Sequence, residues 1–388
     1  MQADVVVVGG GCVGASAAFH LAQLGAGRVV LVERGQVGGG PTGRTVGIVR
    51  LHYSHEPLVE LARRSLERFV RFHELTGRSA DFTRTGFLLL APASELEGLA
   101  ANVALQRRLG VRAEVLTPEE VARLDPRLSL EGVAGAAYEP DAGYADGYAT
   151  AAGFAAAARE LGVAVWEGVA AEEVQAAGGR VTGVQTSRGP VACSRVLVAA
   201  GVWTAGLLRP LGVDFPVVAS REQVVQLAPP AQFGRLEVVL EDLSLGFYAR
   251  PETGGTVLAG VLEEEPEEVV DPDRYNAGVD WAFVERVGSL WSKRYPSAAQ
   301  AEFRGGYASI YDVTPDWQPV LGPVDGTDGL FVAAGFSGHG FKLSPALGEE
   351  LARWVCGQSL SVDLRMFSLR RFSEGALLRG RHAKGLLG

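Results

Sequence analysis

The sequence predicts two intertwined domains, one of the α/β class and one of the α+β class built on an antiparallel sheet. With 388 residues, the chain exceeds the usual size of one compact core. Residues 1–35 follow the pattern strand, tight turn, helix, strand. From Val217 to Tyr311 the pattern changes to short strands separated by turn residues. The first domain is expected to comprise residues 1–85, 145–216 and 320–388, and the second residues 86–144 and 217–319.

The first unit of the chain has the outline of a βαβ motif. Ala3 to Val8 is a run of mostly β-branched residues that suits a strand buried on both faces. Val13 to Leu24 carries small and apolar residues at helical spacing, and the glycines that follow end this helix. Val29 to Val32 is a second buried strand. The two strands are therefore expected to lie side by side in a parallel sheet.

Three glycines occupy the turn between the first strand and the first helix. Gly9, Gly11 and Gly14 have the spacing G-x-G-x-x-G, and Glu33 ends the second strand. The first glycine permits a tight turn, the second lets the backbone approach a pyrophosphate, and the third allows close packing of helix and strand. A diphosphate then lies on the amides at the helix N-terminus, while Glu33 accepts from ribose hydroxyls. The pattern predicts a dinucleotide site and serves NAD and FAD alike.

Two further segments favour FAD over NAD. The loop from Gly38 to Thr45 is rich in glycine and hydroxyl groups, and it suits a second phosphate and a ribityl chain, although an ordinary surface loop is the alternative. Arg195 to Thr204 resembles the late strand and small-residue turn that close over the dinucleotide in flavoproteins. Beyond the glycine motif and Glu33, the cofactor contacts predicted in these parts of the chain are Arg34, Gly40, Thr42, Thr45, Val169 and Gly201.

The remaining elements follow from periodicity and turn residues. Helices are predicted at Pro57–Leu75, at Thr150–Leu161, around Trp281–Trp291, and through Ala93–Leu124, where Thr117 and Pro118 have the pattern of a helix start. Strands are predicted at Phe87–Leu90, Ala164–Trp166, Arg180–Thr186, Arg195–Ala200, Glu222–Leu227, Leu245–Arg250, Thr256–Val261 and Leu330–Ala333.

A glycine-rich loop and a helix follow the last predicted strand. The loop reads Gly-Phe-Ser-Gly-His-Gly-Phe-Lys from Gly335 to Lys342. Ser344 is expected to cap a helix that has Pro345 in its first turn. The positive end of that helix would stabilise the negative charge of a reduced flavin. The loop residues predicted to contact the cofactor are Gly335, Gly338, Gly340, Phe341 and Lys342.

Together with Thr314-Pro315-Asp316 and Gly322-Pro323, this loop resembles the D-amino-acid oxidase superfamily. The resemblance is nearest to sarcosine oxidases of the beta-subunit type and to dimethylglycine or proline dehydrogenase subunits, and it runs from the first strand to the final helix. It implies a Rossmann-like FAD-binding domain of the glutathione-reductase type and a discontinuous antiparallel-sheet substrate domain. The activity it implies is oxidation of the C–N bond of a small secondary or N-methyl amino acid.

The same resemblance indicates substrate residues. Arg50 lies in a segment similar to the one whose arginine binds the substrate carboxylate in sarcosine oxidases, and Lys342 is its implied companion. An arginine matches a carboxylate bidentately, but a structural ion pair is the alternative for Arg50. His52 and His339 are candidates for tuning the protonation of flavin or substrate, and hydrogen-bonded structural histidines are the alternative.

Three departures from the family pattern refine these expectations. Leu258 stands where monomeric sarcosine oxidases carry a lysine thought to activate oxygen, which favours another electron acceptor. Ser309 stands near the position of their flavin-linking cysteine, so FAD is expected to be non-covalent. Tyr307 to Thr314 lacks the arginine that holds the carboxylate in glycine and D-amino-acid oxidases, which favours an N-alkyl amino acid.

Composition excludes several other classes of function. A formal net charge of −9 argues against a nucleic-acid partner. The sequence lacks the pattern of a signal peptide or membrane span, so a cytoplasmic enzyme is expected. Cys12, Cys193 and Cys356 have no metal-site or disulfide spacing, and no metal is expected. Two rival functions remain: oxidation of a 2-hydroxy acid or glycerol phosphate on the same fold, and a flavin-bearing subunit that serves a redox partner.

Overall fold

A computed structural model describes residues 1–262, 265–266 and 268–382. Its strands are β1 Val5–Val8, β2 Val29–Val32, β3 Ile48–Val49, β4 Thr83–Arg84, β5 Phe87–Ala91, β6 Glu114–Leu116, β7 Gly135–Glu139, β8 Gly143–Tyr144, β9 Ala164–Trp166, β10 Ala171–Ala177, β11 Arg180–Thr186, β12 Gly189–Ala192, β13 Arg195–Val198, β14 Val218–Ala228, β15 Val239–Asp242, β16 Phe247–Pro251, β17 Val257–Val261, β18 Glu302–Val313, β19 Val320–Pro323 and β20 Leu330–Ala334. Its α-helices are α1 Cys12–Gln23, α2 Glu56–Val70, α3 Phe72–Thr76, α4 Leu96–Arg108, α5 Pro118–Leu124, α6 Gly147–Glu160, α7 Thr204–Leu208, α8 Trp281–Arg294, α9 Gly340–Val355 and α10 Arg370–Ser373.

A six-stranded sheet has the order β19-β20-β13-β1-β2-β9 and is parallel except for β19. Val5 of β1 is in register with Arg195 of β13 on one side and with Val29 of β2 on the other. All four residues of β1 and all four of β2 are buried, as expected for strands covered on both faces. Helix α1 packs between α6 and α9 on one face of this sheet. The predicted βαβ unit is therefore confirmed.

An eight-stranded sheet has the order β18-β14-β17-β16-β15-β5-β7-β6. Its pairs are antiparallel except for β15 and β5. One face is apolar and packs against Trp291 and its neighbours in α8. Because side chains alternate along a strand, the cross-strand register places a second set on the opposite face. The polar members of that set include Tyr311, Glu222, Tyr248, Glu241 and Glu139.

Several predicted elements differ from the structure. The helix expected over Pro57–Leu75 is interrupted at Arg71, which separates α2 from α3. The helical run expected over Ala93–Leu124 contains the strand β6, because β6 pairs with β7. The predicted strand Arg180–Thr186 is confirmed as β11, and it pairs with β10 and β12 in a separate antiparallel sheet. The strands that were not predicted individually are β3, β4, β6, β7, β8, β10, β12, β15, β18 and β19. The division into domains at the stated boundaries stays a prediction.

The start of α9 is a further correction. This helix begins at Gly340, so Ser344 is not its cap and Pro345 lies inside it. Proline has no N–H to donate to the carbonyl of Phe341, and the Ser344 hydroxyl donates to that carbonyl instead at 2.8 Å. The hydroxyl of Ser65 on α2 donates to the carbonyl of Leu343 at 2.9 Å and accepts from the amide of Ala346, the residue after the proline, at 3.1 Å. These hydroxyl groups explain how a helix tolerates proline in its second turn.

No helix in the described part of the chain is both long enough and apolar enough to cross a membrane.

The predicted start of α5 is confirmed: the hydroxyl of Thr117 accepts from the amide of Glu120, and the Glu120 carboxylate accepts from the amide of Thr117.

Candidate functional site

A cavity of about 470 Å³ lies between the two large sheets. On one side it is lined by residues at the carboxyl ends of parallel strands, including Gly9 after β1, Glu33 after β2 and Gly201 after β13. On the other side it is lined by the polar face of the eight-stranded sheet, including Tyr248 and Tyr311. Ligands of open α/β sheets bind at the carboxyl ends of the strands. The cavity is therefore the candidate functional site.

The three glycines of the motif have different surroundings. Gly9 has a φ of +106°, a conformation that side chains disfavour. A Cβ on Gly14 would overlap the carbonyl oxygen of Gly9, so this glycine allows α1 to pack closely on β1. A Cβ on Gly11 would meet only the hydroxyl of Thr42, at 3.1 Å, and it would project towards the cavity wall. Gly9 and Gly11 line the cavity, whereas Gly14 lies behind it.

The carboxylate of Glu33 is fixed at the edge of the cavity. One of its oxygens accepts from the amide of Gly10 and the other from the amide of Gly35, each at 2.7 Å. Its position after β2 is the one expected for a group that accepts from ribose hydroxyls. Val169, a predicted cofactor contact, donates its amide to the carbonyl of Glu33 at 2.9 Å. Val169 does not line the cavity, although its neighbour Ala170 does.

The loop after Arg34 returns to the N-terminus of α1. Arg34, Gly40, Thr42 and Thr45 all line the cavity, as does Gly201. The hydroxyl of Thr42 accepts from the amide of Cys12 in the first turn of α1, at 3.2 Å. In this way the loop is tied to the helix end where a diphosphate is expected. We call the part of the cavity lined by the glycine motif, Glu33 and this loop the nucleotide end.

The residues present fit a dinucleotide. The nucleotide end combines a helix N-terminus without Cβ atoms in the way, a fixed carboxylate and several hydroxyl groups. Further along the cavity, Phe336, Gly338, Gly340 and Phe341 line the wall. Gly335 does not line it: its amide donates to the carboxylate of Asp312 at 2.7 Å and it has a φ of +70°. This glycine shapes the loop whose later residues reach the cavity.

Arg50 is buried, with 1% of its side chain exposed, and it does not line the cavity. Its Nε lies 3.3 Å from a carboxylate oxygen of Glu241, and its guanidinium group lies 4.8 Å from the ring centre of Tyr53. The structure therefore contains the ion pair that was the alternative to a substrate-binding arginine. A role in substrate binding stays a prediction.

Lys342 lies close to this ion pair. Its ammonium group donates to the carbonyl of Gly338 at 3.3 Å. The pKa of Lys342 is lowered to about 7, mainly by burial and also by the nearby Arg50, while Glu241 opposes the shift. His339 directly precedes α9, and its Nδ1 lies 3.4 Å from the hydroxyl of Tyr53. We call Arg50, Glu241 and Lys342 the charged cluster.

The charged cluster lies directly behind one part of the cavity wall. Gly338, which accepts from Lys342, lines the cavity, and so does Tyr248, the cross-strand partner of Glu241. Tyr311 also lines the cavity. Burial raises its pKa, and the nearby carboxylates of Glu222 and Glu241 raise it further. The structure thus brings three of the four predicted catalytic side chains, those of Arg50, Lys342 and His339, together behind the wall, although none of the three lines the cavity itself.

His52 points elsewhere. Its Nε2 lies 2.9 Å from Nε2 of His382, and the Nδ1 of His382 lies 2.9 Å from a carboxylate oxygen of Glu95. Burial lowers the pKa of His52 well below its usual value, and the nearby His382 and Arg50 add to this shift. Only the backbone carbonyl of His52 reaches the charged cluster, as an acceptor from Arg50. This geometry supports the structural alternative for His52.

Several residues of the site were not found from the sequence. Asp312 lines the cavity and holds the glycine loop by accepting from Gly335 and, through its carbonyl, from Ser337. Burial raises the pKa of its carboxyl group to about 6. Tyr248 and Glu241 could not be assigned to the site from the sequence, because it is the pairing of β15 with β16 that places them side by side. The one sequence signal for Asp312 was its place two residues before Thr314-Pro315-Asp316.

The departures from the family pattern also have structural positions. Ser309 lines the cavity, opposite Glu222 on the neighbouring strand. Leu258 is 7% exposed and belongs to the same sheet face as Tyr248, between Gln226 and Arg250 on the flanking strands. Among the residues that the structure describes, no group of three His, Cys, Asp or Glu side chains is placed to hold a metal ion.

Comparison with known proteins agrees with this geometry. Residues 4–354 match the family model DAO, described as FAD dependent oxidoreductase. The chain is 33% identical over 377 residues to 4-methylaminobutanoate oxidase (formaldehyde-forming) of Paenarthrobacter nicotinovorans, covering 95% of this chain and 45% of that protein. It thus spans about half the length of that relative.

Two further similarities extend over nearly the whole length of both chains. The chain is 27% identical to sarcosine oxidase subunit beta of Rhodobacter capsulatus, over 99% of this chain and 92% of that protein. The crystal structure of L-proline dehydrogenase from P. horikoshii superimposes with a TM-score of 0.87 at 27% identity, covering 96% of this chain and 98% of that one. The predicted fold class and the resemblance are confirmed, and FAD is the cofactor. The chain belongs to the DAO family of FAD dependent oxidoreductases.

Proposed function

We propose that this chain oxidises the C–N bond of a small secondary or N-methyl amino acid to an imine. The observation that carries this proposal is the charged cluster behind Tyr248 and Gly338, which line the cavity. A buried arginine and a lysine at one wall suit an anionic substrate group. The names of the relatives, which act on 4-methylaminobutanoate, sarcosine and L-proline, support a secondary amine that carries a carboxylate.

The protein's contribution is to orient the substrate. Arg50 and Lys342 would bind the carboxylate, and Arg50 would then contact both the substrate and Glu241. To reach these cations, the carboxylate would pass between Tyr248 and Gly338. FAD, when bound, accepts the two electrons and the hydrogen that leave the carbon of the C–N bond. A carboxylate anchored at two cations fixes the distance from that carbon to the cofactor, and such positioning supplies much of the rate enhancement. The imine then hydrolyses in water.

The substrate amine has to react in its neutral form, so the electrostatics of the site matter. Lys342 has a pKa of about 7, which means that its positive charge is easily lost near neutral pH. A cation beside the amine disfavours the ammonium form, because like charges repel. Arg50 keeps its charge, because the pKa of its guanidinium group is raised above the usual value. Burial lowers this pKa, but neighbouring groups, chiefly Glu241, outweigh the effect of burial.

FAD is proposed to be held without a covalent bond. Ser309 lines the cavity and has no thiol to attach to a flavin. Cys12 also lines the cavity, but it lies in the first turn of α1, where its sulfur accepts from the hydroxyl of Thr42 at 3.6 Å. Burial raises the pKa of the Cys12 thiol, which keeps it in the less reactive protonated form. Acid precipitation of the yellow protein is expected to release all of the flavin.

The experiment that tests the function is anaerobic addition of candidate substrates to the FAD-loaded protein. Sarcosine, N-methyl amino acids and L-proline are expected to bleach the visible absorbance of the flavin, and an imine or aldehyde product should form in equal amount. A D-amino acid with a primary amine, a 2-hydroxy acid and glycerol phosphate serve as comparison compounds. Bleaching by the hydroxy acid alone would replace the proposed C–N chemistry with oxidation of an alcohol.

A second candidate is a flavin-bearing subunit that delivers its electrons to a redox partner. It is favoured by the similarity to a sarcosine oxidase subunit over 92% of that protein's length. The two functions differ in turnover. An isolated chain that reduces its flavin once, but turns over only when a partner protein is added, would favour the subunit.

A further inference from the structure

We propose that residues 268–280 form an arm that closes over the nucleotide end of the cavity and slows the release of FAD. The arm belongs to the connection between β17 and α8, on the side of the antiparallel sheet. Its tip nevertheless contacts three side chains that line the cavity from the other side. The inference depends on FAD binding and is independent of the substrate proposed above.

Arg221 fixes the base of the arm. This residue lies on β14 and is 3% exposed. Its Nε donates to the carbonyl of Asn276 and its Nη2 to the carbonyl of Gly278, each at 2.8 Å. Its Nη1 donates to the carboxylates of Asp280 at 2.7 Å and Glu268 at 2.9 Å. One buried guanidinium group thus holds both ends of the arm, and hydrogen bonds to charged groups of this kind are among the stronger ones.

The arm is also joined to the sheet through its backbone. The amide of Arg221 donates to the carbonyl of Glu268 at 2.7 Å, and the amide of Val270 donates to the carbonyl of Ala219 at 2.9 Å. The amide of Ala308 on β18 donates to the carbonyl of Ala277 at 2.8 Å. The direction of the arm, across the edge of the sheet and towards the cavity, is therefore set by the eight-stranded sheet.

Asp273 at the tip links two parts of the cavity rim. One of its carboxylate oxygens lies 2.8 Å from Nη1 of Arg34, which follows β2. The same carboxylate accepts from the indole N–H of Trp203 at 3.1 and 3.2 Å. The guanidinium group of Arg34 lies 3.9 Å from the ring centre of Trp203, so the three side chains form a closed triangle. Arg34 and Trp203 both line the cavity.

Tyr275, two residues further along, contacts the opposite side of the nucleotide end. Its hydroxyl accepts from Nη1 of Arg44 at 2.6 Å, and Arg44 lines the cavity as well. Arg34 and Arg44 bring positive charge to the end of the cavity where the glycine motif predicts the diphosphate. The tip of the arm therefore ties both cationic side chains to the antiparallel sheet.

These contacts are too exposed to stabilise the fold appreciably. The side chains of Arg34 and Asp273 are 49% and 54% exposed, and ion pairs of this kind contribute little to stability because water and salt screen them. Their position gives them a different effect. The contacts have to break for a dinucleotide to leave past Arg34 and Trp203, so they add directly to the barrier for release.

The test is the rate at which FAD leaves the loaded protein after dilution, followed by the rise in flavin fluorescence. The double variant Asp273→Asn/Tyr275→Phe is expected to release FAD about tenfold faster than the wild type, because two exposed polar links are lost. Arg274→Gln is the matched control, since Arg274 is an exposed residue between them on the same arm. Its release rate should stay within about twofold of the wild type.

A second variant separates the arm from general damage to the protein. Trp203→Phe keeps a ring beside Arg34 but removes the indole N–H that donates to Asp273, and it is expected to speed release about threefold. Thermal unfolding of the FAD-free proteins should be unchanged in all variants. Release rates equal to the wild type in both the double variant and Trp203→Phe would overturn the proposed role of the arm and leave the assignment of FAD intact. A chain that takes up no FAD would overturn the cofactor assignment and the arm together.

Discussion

The nucleotide end of the cavity is built mainly from backbone groups, whereas the charged cluster behind its wall is built from side chains. Most of the nucleotide end comes from one continuous stretch, Gly9 to Thr45, whose glycines and amides are set by a strand, a turn and a helix. The charged cluster joins Arg50, Glu241 and Lys342, which are far apart in the chain. The first region suits a shape common to many dinucleotides, and the second is proposed to select the substrate.

The two regions also differ in how they tolerate change. The backbone groups of the nucleotide end are fixed by sterics, so an added methyl group is enough to disturb them. The charged cluster is fixed by burial and pairing, so removing one partner leaves an uncompensated charge. Variants in one region should therefore change cofactor binding and variants in the other should change substrate binding, with little overlap.

The largest effect is expected from Gly14→Ala. The new methyl group would overlap the carbonyl of Gly9 and separate α1 from β1, which should abolish FAD binding and destabilise the protein by roughly 1–3 kcal/mol. Gly288→Ala in α8 is the control, because the structure shows open space there and alanine favours a helix. Flavin content and thermal unfolding measure both variants. Full flavin content in Gly14→Ala would contradict the steric explanation of this end.

Arg50→Ala is expected to weaken substrate binding while FAD stays bound. Loss of a charge-assisted contact to the carboxylate should reduce affinity by on the order of 2–5 kcal/mol. Arg294→Ala is the control, since Arg294 forms an equally buried ion pair with Asp242, at 2.7 Å, outside the site. Both variants should lose stability, but only Arg50→Ala should raise the substrate dissociation constant measured by anaerobic titration. A parallel change in the control would mean that Arg50 is purely structural.

Leu258→Lys tests the face of the antiparallel sheet that carries Tyr248. The resemblance to monomeric sarcosine oxidases implies an oxygen-activating lysine at this position, and an aliphatic side chain cannot stabilise the superoxide formed in the first step. Reduced wild-type protein is expected to react slowly with oxygen and faster with a dye, and Leu258→Lys should accelerate the oxygen reaction by about tenfold. Leu258→Met keeps the size without the charge. Rapid reoxidation of the wild type, unchanged in the lysine variant, would show that oxygen is activated elsewhere.

The smallest effect concerns the pH dependence of substrate binding. Lys342 carries its positive charge below its pKa of about 7 and loses it as the pH rises through that value. The dissociation constant of an amino-acid substrate should therefore increase several-fold from the acidic to the alkaline side of pH 7, after correction for ionisation of the substrate. Lys342→Met should remove this dependence and bind as weakly as the wild type at high pH. A pH profile that persists in the variant would assign the titration to another group.

Much of the fold and of the nucleotide end could be predicted because the relevant signals are local. The glycine spacing, Glu33 and the buried strands β1 and β2 lie within one βαβ unit, where chain geometry determines the neighbours. The error at α9 also has a local cause: Ser344 and Pro345 have the pattern of a helix start, but the Ser344 hydroxyl donates to the carbonyl that the proline leaves free, and the Ser65 hydroxyl bonds to the backbone on either side of the proline.

The charged cluster was predictable only in part. Arg50 and Lys342 were identified by resemblance, but the pairing of Arg50 with Glu241 depends on the register of β15 in the eight-stranded sheet. Register is determined by contacts between strands distant in sequence, so a single sequence contains little information about it. The same reason explains why Asp312 and Tyr248 were missed.

The most direct test compares a reactive amino acid with its own methyl ester. The ester keeps the amine and the C–H bond but has no carboxylate, so it should bind without help from the charged cluster. Anaerobic flavin reduction, followed over a range of concentrations, gives the dissociation constant of each compound. We predict that the free acid binds at least about thirtyfold more tightly than the ester, and that Arg50→Ala removes most of the difference, leaving the smaller contribution of Lys342. Equal binding of acid and ester by the wild-type protein would contradict the assignment of this region to the substrate carboxylate.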